Sequence, residues 1–212
     1  MLTVYSIPIS LYCAKLRIIL RNKGLEWREE SPPGGYGSKE YKKIVATGNL
    51  PALLDGGLLI ADSEAIAEYL EEKHPKPNML PINLDERAKA RQLSRFHDTR
   101  LEPELRKLFS QIPSRKPDHN ILQKQTEEIN LRLDQLSNII EASPNSLLIA
   151  HCAFPITFAW IELLISLFSI QISWPSNVLT WNKKLKSFSA VGTELMDYKP
   201  KLRSWIKAQH ET

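Results

Sequence analysis

The chain has 212 residues, of which 42% are hydrophobic and 25% are charged, and its formal net charge is +4. This composition is typical of a folded globular protein and excludes a disordered or fibrous chain. The basic residues are spread along the sequence and are not gathered in one tract. We therefore interpret them as solvent-exposed faces, which excludes a dedicated nucleic-acid-binding tract and mildly favours a small anionic ligand.

The cysteines and the most apolar run of the chain narrow the class further. Cys13 and Cys152 are the two cysteines, and no residues have the spacing of metal ligands. This argues against a disulfide framework and a metal centre and favours a reducing compartment, the cytoplasm. The start of the chain lacks the pattern of a secretory signal. Residues 154–172 are apolar but include Pro155 and Glu162, so we predict a buried core helix and no membrane span.

The first quarter of the chain alternates between strand and helix patterns. Residues 2–6 are rich in strand-forming side chains and predict the first strand. Residues 13–22 have apolar side chains at helical spacing and are followed by Gly24, a common helix stop, so they predict a helix. A second strand over 25–30, a Gly- and Pro-rich loop and a short helix over 38–45 complete this region.

The stretch 49–70 carries a proline turn, a hairpin and a helix start in close succession. Leu50-Pro51 stands just ahead of a strand-like run, where a proline needs a special reason. The sequence 55–57, Asp-Gly-Gly, separates two apolar runs and predicts a tight hairpin. The pair Asp62-Ser63 predicts a helix N-terminus, because short polar side chains accept hydrogen bonds from the free amides there.

Helical patterns dominate the sequence after residues 75–81, a proline-rich segment that we predict to be an extended linker. A long helix is predicted over 85–109, with a bend at Pro103. Residues 154–172 are apolar on all sides, which is typical of a central helix. The remaining helices are predicted over 117–140, 176–188 and 200–209.

An α/β first half followed by an all-helical second half resembles the glutathione transferase architecture over nearly the whole chain. The combination of features in 49–70 carries the resemblance, and residues 198–205 resemble the closing pattern of that family. The resemblance implies a thioredoxin-like, glutathione-binding N-terminal domain at 1–76 and an all-helical domain at 83–212.

The resemblance also implies roles for four residues of the stretch 49–70. In the family the proline that matches Pro51 is cis, and the residue that matches Leu50 exposes its backbone to the cysteinyl part of glutathione. The pair that matches Asp62-Ser63 holds the γ-glutamyl end. The family usually has Gln or Glu in place of Asp62, so a shorter side chain reaches less far here. The residue that holds the glycine carboxylate stays unassigned.

Ser10 is the predicted catalytic residue, because the resemblance places the catalytic group after the first strand, near the start of the first helix. Residues 10–13 have the form Ser-x-x-Cys, which resembles the serine-type branch of the family, with its zeta-, theta- and delta-like enzymes. A hydroxyl that donates to the glutathione sulfur favours the thiolate, which is the nucleophile. The alternatives are that Ser10 only caps the helix, that Tyr12 is the donor, or that Cys13 has a redox role.

The second-substrate pocket is expected between the two halves. Pro8, Tyr12, His97 and Arg100 are the predicted lining residues, together with Trp160. His97 and Arg100 are three residues apart and would share a helix face. The alternative for each of these residues is a place on a solvated face or in the core.

The function implied by the resemblance is that of a cytoplasmic, homodimeric glutathione transferase without a metal. Such an enzyme activates the thiol of glutathione, its substrate, for attack on a hydrophobic electrophile, as in detoxification. Within the same fold the alternatives are maleylacetoacetate isomerase or thiol-reductase activity, and a non-catalytic binding or regulatory protein.

Overall fold

A four-stranded sheet forms the centre of the N-terminal half in the computed structural model, which describes residues 1–140 and 144–211, with side chains described up to residue 209. The strands are β1 (Leu2–Tyr5), β2 (Trp27–Glu30), β3 (Ala52–Asp55) and β4 (Leu58–Ala61). Their order in the sheet is β2-β1-β3-β4, with β1 and β2 parallel and the other pairs antiparallel. The predicted hairpin joins β3 to β4, and Gly56 adopts the positive φ of 61° that its turn requires.

Three helices belong to this sheet: α1 (Leu11–Asn22), α2 (Lys39–Lys42) and α3 (Ser63–Lys73). Helix α1 is the crossover between the parallel strands β1 and β2. It is buried on nearly all of its surface, because it packs against α3 on one side and against two helices of the C-terminal half on the other. Its C-terminus is followed by Gly24, which has a φ of 64°, as the sequence predicts.

All the regular secondary structure described in the C-terminal half is helical. Its helices are α4 (Leu84–Phe96), α5 (Glu102–Lys107), α6 (His119–Ser137), α7 (Phe154–Phe168), α8 (Ser176–Lys186) and α9 (Ser189–Glu211). The predicted fold class, a thioredoxin-like α/β half followed by an all-helical half, is therefore confirmed. The domain bounds 1–76 and 83–212 stay a prediction, and one continuous hydrophobic cluster runs through both halves from Leu2 to Ile206.

The predicted long helix over 85–109 is interrupted ahead of Pro103. A π-turn, His97–Leu101, separates α4 from α5, and a 3-10 turn, Leu108–Gln111, follows α5. In the interior of an α-helix, proline would remove a backbone hydrogen bond because it lacks the N–H. Pro103 instead lies in the first turn of α5, where the missing donor costs least. The wider π-turn changes which side chains share a face of the helix.

The last helix begins eleven residues earlier than predicted, at Ser189 and not at Pro200. A proline usually interrupts a helix, so the sequence favoured a start at Pro200. The buried side chains Leu195, Tyr198 and Leu202 fall on both sides of Pro200 and pack into one core. Their burial outweighs the lost backbone hydrogen bond, because tertiary packing supplies most helix stability in proteins.

The predicted linker, residues 75–81, is tied to the N-terminal half. The buried ammonium of Lys23 donates to Glu71 at 2.5 Å and to the carbonyls of His74 and Pro77 at 2.7 and 3.1 Å. The other carboxylate oxygen of Glu71 accepts from the Met79 N–H at 2.9 Å. All three protons of the ammonium therefore have acceptors. These bonds hold the linker segment in place against α1 and α3.

One stretch of the described residues, Ile149–Phe168, is long and apolar enough to cross a membrane by length and composition, and 67% of its most apolar window is buried inside the fold. It includes α7, whose residues Phe154 and Phe158 are fully buried. This burial agrees with the prediction of a core helix.

His151 should make the stability of the fold depend on pH. Burial lowers its pKa from 6.5 to about 4, and its Nδ1 accepts from the Leu148 N–H at 3.1 Å. Between pH 6.5 and about pH 4, this histidine binds a proton in the unfolded chain but not in the folded one, so the free energy of unfolding falls as the pH falls. From pH 7 to pH 5 the wild type should lose about 2 kcal/mol more unfolding free energy than His151→Gln.

Urea unfolding at the two pH values measures this difference. His119→Gln, which changes an exposed histidine, is the matched control and should behave as the wild type. Equal pH dependence in wild type and His151→Gln would contradict the prediction.

Candidate functional site

The register of the sheet brings three segments of the predicted site to one edge. Tyr5 pairs with Ala52, and Ala52 pairs with Ala61. Paired residues on neighbouring strands lie about 5 Å apart, so all three segments leave the sheet close together. The segment after Tyr5 leads to Ser10, the residues before Ala52 are Leu50-Pro51, and Asp62-Ser63 follow Ala61. This alignment depends on strand order and register, which the sequence pattern alone did not predict.

Ser10 is the N-cap residue of α1. Its extended backbone, with φ −69° and ψ 125°, places its Oγ where it accepts from the Cys13 N–H at 3.3 Å. An N-cap serine uses a lone pair in this bond and keeps its O–H free to donate elsewhere. The side chain is half-buried, so a ligand can reach it. The capping role and the predicted donor role are therefore compatible.

The Leu50-Pro51 peptide bond is cis in the structure. Leu50 lies outside the strand pairing, which begins at Ala52. The turn is supported from below by a small core that contains Cys13, Tyr41 and Leu50, and the Tyr41 hydroxyl donates to the Asn49 carbonyl at 3.0 Å. Helix α1 and the proline turn are thus packed against each other.

Asp62 caps α3, and this role uses part of the carboxylate that the resemblance assigns to glutathione. Its Oδ1 accepts from the N–H groups of Glu64 and Ala65 at 2.9 and 3.1 Å. The side chain thus caps its own helix through Oδ1, and Oδ2 takes no part in these two bonds. The φ of Asp62 is 89°, a value that non-glycine residues rarely adopt and that costs about 1–3 kcal/mol.

Ser63 begins α3 and is buried. Because Asp62 occupies the next two amides, the N–H of Ser63 is the amide left at this helix N-terminus to bind an anion. The segment Asp62-Ser63 therefore offers a carboxylate oxygen that can bind an ammonium group, next to an N–H that can bind a carboxylate. A ligand with the free α-ammonium and α-carboxylate groups of an amino acid would match both.

Cys13 lies beneath Ser10 in the small core with Tyr41 and Leu50, and Cys152 lies in the main core. Neither thiol is exposed. Burial raises the pKa of Cys13 although Ser10 acts to lower it, and burial also raises the pKa of Cys152. A buried thiol with a raised pKa is a poor nucleophile, which argues against the redox role considered for Cys13.

We expect both thiols to be inert toward dithionitrobenzoate at about pH 8, because the thiolate is the reactive form and neither sulfur is accessible. Guanidinium should release both for reaction. Cys13→Ser should leave this pattern unchanged for Cys152. Rapid reaction of one thiol in the native protein, lost in Cys13→Ser, would restore the thiol-reductase alternative.

The Tyr12 ring lies against residues of the helical half. Its ring is 6.3 Å from the His97 ring, and the Arg106 guanidinium lies 5.9 Å from its centroid. Burial, then the charges of Asp98 and Glu102, raises the pKa of the Tyr12 phenol, so it stays protonated. Because its ring contacts residues of the helical half, Tyr12 is a weaker candidate than Ser10 for the thiol donor.

A buried ionic network that the sequence did not predict joins the two halves beside the site. The Lys15 ammonium lies 2.5 Å from Glu64 and 3.7 Å from Asp98, and its side chain is 1% exposed. Burial acts to lower the pKa of Lys15, but the two carboxylates outweigh it and raise the pKa. Because Glu64 follows Ser63, Lys15 fixes the start of α3 against α1.

His97 extends this network and is not at a pocket surface. Its side chain is 1% exposed, its Nδ1–H donates to Asp98 at 2.7 Å, and its Nε2 is 2.6 Å from the Thr157 hydroxyl. Burial acts to raise the pKa of Asp98, but His97 and Lys15 hold it below its usual value. Arg100, by contrast, is exposed, so His97 and Arg100 do not share a helix face as the sequence predicted. Both lie in the π-turn, whose wider spacing turns residues three apart away from each other.

Trp160 is also a core residue. It is 1% exposed, stacks on Phe109 at 4.3 Å between centroids, and donates to the Tyr198 hydroxyl at 2.7 Å. Pro8 is exposed near Ser10, and its carbonyl accepts from Arg17 at 3.2 Å. Of the predicted lining residues, Pro8 and Tyr12 therefore flank the segment that carries Ser10, whereas His97 and Trp160 do not line an open pocket.

A cavity of about 720 Å³ lies elsewhere in the C-terminal half, between α4 and the residues around Leu148 and Trp181. It shares no residue with the predicted site. Among the described residues, no group of three or more His, Cys, Asp or Glu side chains could hold a metal ion.

Sequence comparison matches residues 4–78 to the family model described as "Glutathione S-transferase, N-terminal domain". Glutathione S-transferase Z1 of Arabidopsis thaliana is 42% identical over 91 residues, which cover 41% of each chain. A stringent starvation protein A homolog of Pasteurella multocida is 33% identical over 92 residues, 43% of each chain. These matches span about two fifths of the relatives' length.

Comparison with solved structures extends the likeness to the whole fold. A delta-class glutathione transferase of Nilaparvata lugens superposes with a TM-score of 0.82 over 99% of this chain and 100% of its own, at 20% identity. A glutathione transferase of Bombyx mori gives the same TM-score over 98% of this chain and 97% of its own, at 19% identity. At this identity the likeness concerns the fold.

Proposed function

We propose that this chain, whose residues 4–78 match the N-terminal domain model of the glutathione S-transferase family, activates the thiol of glutathione for attack on an electrophile. In this proposal Ser10 donates its hydroxyl hydrogen to the glutathione sulfur. The observation that supports it most directly is the position of Ser10 at the N-terminus of α1, half-buried, with its oxygen acting as the acceptor in the cap bond.

The proposed activation is energetically within reach of these groups. A free thiol has a pKa of about 8.5, so only about 3% is thiolate at pH 7. Lowering the pKa by about two units needs about 2.7 kcal/mol and makes roughly three quarters of the thiol ionised. A hydrogen bond to a charged acceptor contributes about 1.5–3 kcal/mol, and the helix dipole adds about 0.3–1 kcal/mol.

We propose that the rest of the tripeptide lies along the same sheet edge. The backbone of Leu50, ahead of the cis Pro51, would pair with the cysteinyl part. The free amide of Ser63 would bind the γ-glutamyl carboxylate, and Asp62 Oδ2 would bind its ammonium. The hydrophobic electrophile would then approach from the side of Pro8 and Tyr12. As in the prediction from sequence, the enzyme would act as a cytoplasmic homodimer.

A second candidate is a non-catalytic binding protein with the same fold. It is supported by the relatives named stringent starvation protein A homolog, because that name states no transferase activity. A glutathione-dependent isomerase activity would use the same residues of this chain as the transferase. The burial of Cys13 disfavours a reductase.

Calorimetry with glutathione, combined with conjugation assays on a panel of electrophiles, tests the proposal. Glutathione uptake that is weakened about tenfold in Asp62→Asn, which removes the negative charge expected to bind the ammonium, together with turnover of at least one electrophile, is the expected result. Uptake without turnover would favour the binding protein. Absence of uptake would overturn both the transferase and the glutathione-binding alternative.

A further inference from the structure

The loop that carries Ser10 is held by the last helix of the chain. Residues 7–10 connect β1 to α1, and two successive carbonyl groups of this loop accept hydrogen bonds from groups that α9 positions. The Tyr198 hydroxyl lies 2.7 Å from the Ile9 carbonyl, and Arg17 Nη2 lies 3.2 Å from the Pro8 carbonyl. Tyr198 belongs to α9, and Arg17 of α1 is held by the α9 residue Glu194 at 2.8 Å.

The direction of the Tyr198 hydrogen bond follows from its second partner. The indole N–H of Trp160 lies 2.7 Å from the Tyr198 oxygen and can only donate. The phenol oxygen therefore accepts from Trp160, and its own proton goes to the Ile9 carbonyl. Tyr198 is 0% exposed, and burial raises the pKa of the phenol, so the proton is retained.

Tyr198 fixes a peptide plane that is also held at its other end. The carbonyl of Ile9 and the N–H of Ser10 belong to one planar peptide unit. The N–H of Ser10 donates to the Ile7 carbonyl at 3.2 Å, and the carbonyl of Ile9 accepts from Tyr198. With both ends bonded, the plane cannot rotate freely, and this sets where the Ser10 side chain begins.

The second support is ionic and buried. Glu194 is 0% exposed and receives Arg17 at 2.8 Å and Arg21 at 3.3 Å. Arg17 also lies 3.3 Å from Glu29. Its guanidinium is therefore fixed on several sides, and the N–H that it offers to Pro8 has a defined position.

We propose that Tyr198 and Arg17 are positioning residues for Ser10: α9 of the helical half fixes the loop 7–10 and thereby the hydroxyl that acts on the glutathione sulfur. This inference rests on the proposed function of Ser10. A hydrogen bond weakens steeply with poor geometry, and a misplacement of about 1 Å can cost about 10²-fold in rate. The C-terminal helix would thus set the activity of a group in the N-terminal half.

Tyr198→Phe tests the proposal with two readouts. In the ligand-free protein, amide hydrogen exchange of Ser10 should become about tenfold faster. With glutathione bound, the thiol pKa, followed by thiolate absorbance, should rise by about 0.5–1 unit. The Kd for glutathione, measured at about pH 5 where the bound thiol is protonated in both proteins, should change less than about twofold. In a Ser10→Ala background, Tyr198→Phe should cause no further rise.

Tyr69→Phe is the matched control, because its hydroxyl bonds to Asp55 at 2.8 Å and does not contact the loop. It should change neither readout. If Tyr198→Phe does not fold, Arg17→Lys, which keeps the charge beside Glu194 but loses the planar fork, should shift both readouts in the same direction.

The outcomes separate this inference from the proposed function. Unchanged exchange at Ser10 overturns the positioning role, whether or not glutathione binds. A thiol pKa that stays at the wild-type value despite faster exchange, or that rises equally in the Ser10→Ala background, also overturns it. If the thiol of glutathione bound to the wild type titrates as in free glutathione, the proposed function of Ser10 is overturned. The exchange measurement then decides separately whether Tyr198 fixes the loop 7–10.

Discussion

Replacing Ser10 with alanine should lower kcat/KM for glutathione conjugation about 20- to 100-fold at neutral pH. Without the donor, the thiol pKa of bound glutathione should return toward about 8.5, and the thiolate fraction at pH 7 should fall from roughly three quarters to about 3%. The KM for glutathione should rise by at most about fourfold at pH 7, because Leu50 and Ser63 are expected to hold the rest of the tripeptide. Most of the loss should therefore fall on kcat, which is the signature of an interaction that stabilises the reacting form.

The pH profile gives the sharper measurement. The wild-type rate should reach its plateau above a pH of about 6.5, whereas the rate of Ser10→Ala should keep rising toward a pH of about 8.5, because more of the thiol ionises. The two rates should therefore converge at high pH. Ser10→Thr, which keeps a hydroxyl, should restore part of the difference.

The loss of the helix cap must be separated from the loss of the donor. Ser10→Ala removes the acceptor for the Cys13 N–H and should cost about 1 kcal/mol of stability. Asp118→Ala removes the cap of α6, where Asp118 accepts from Asn120 at 2.8 Å, and should cost as much without affecting turnover. If Ser10→Ala retains the wild-type thiol pKa, Ser10 is only a cap, and Tyr12→Phe becomes the variant to test.

Local signals in the sequence predicted the parts of the site that depend on local backbone geometry. Asp55-Gly56-Gly57 specifies its hairpin through glycine, Asp62 supplies the acceptor for its helix, and Pro51 marks its turn. Each of these depends on neighbours within a few residues, which is the range over which sequence patterns act. The same reasoning predicted Ser10 as a cap, and its assignment as a thiol donor came from the family resemblance.

Interactions between distant residues were not predictable in the same way. Lys15 and Arg17 have the composition of a solvated helix face, yet both are buried, because α1 is covered by α3 on one side and by the C-terminal helices on the other. Their partners Glu64 and Glu194 are 49 and 177 residues away. A sequence pattern of period 3.6 identifies an apolar face but cannot say that the polar face will also be covered.

The π-turn and the early start of α9 illustrate a second limit. Helical spacing placed His97 and Arg100 on one face, but the wider turn buries His97 and exposes Arg100. Local rules placed a helix boundary at Pro200, but the buried side chains of α9 on both sides of that proline stabilise one continuous helix. In both cases tertiary packing decides the backbone, and the sequence rule describes only the local preference.

Lys15→Met should lower the free energy of unfolding by about 3–5 kcal/mol at neutral pH, which is large for the substitution of one charged residue. Methionine fills a similar volume but leaves the carboxylates of Glu64 and Asp98 without their cation. Removing one partner of a buried ion pair strands the other charge, and that cost exceeds the net contribution of the intact pair. Chemical denaturation of the wild type and the variant measures the difference.

Lys107→Met is the matched control, because Lys107 and Glu104 also lie 2.5 Å apart but the lysine side chain is 53% exposed. Water and salt screen such a pair, so its loss should cost at most about 0.5–1 kcal/mol. Two pairs of equal length should thus differ severalfold in their effect on stability. Equal losses in the two variants would contradict the larger energetic cost expected for removing the buried cation.

The pH dependence of the Lys15→Met effect distinguishes a stranded charge from simple repacking. In the wild type, Lys15 and His97 hold the pKa of Asp98 below its usual value, so the stability that Asp98 contributes is lost as the pH falls through that pKa. In the variant, the unpaired carboxylate should take up a proton on folding, so the variant should lose less stability than the wild type as the pH falls from 7 toward about 4. The gap between the two proteins should therefore narrow in acid. A gap that stays constant over this range would mean that the loss comes from packing, and that the ionic network does not hold the start of α3 at the site.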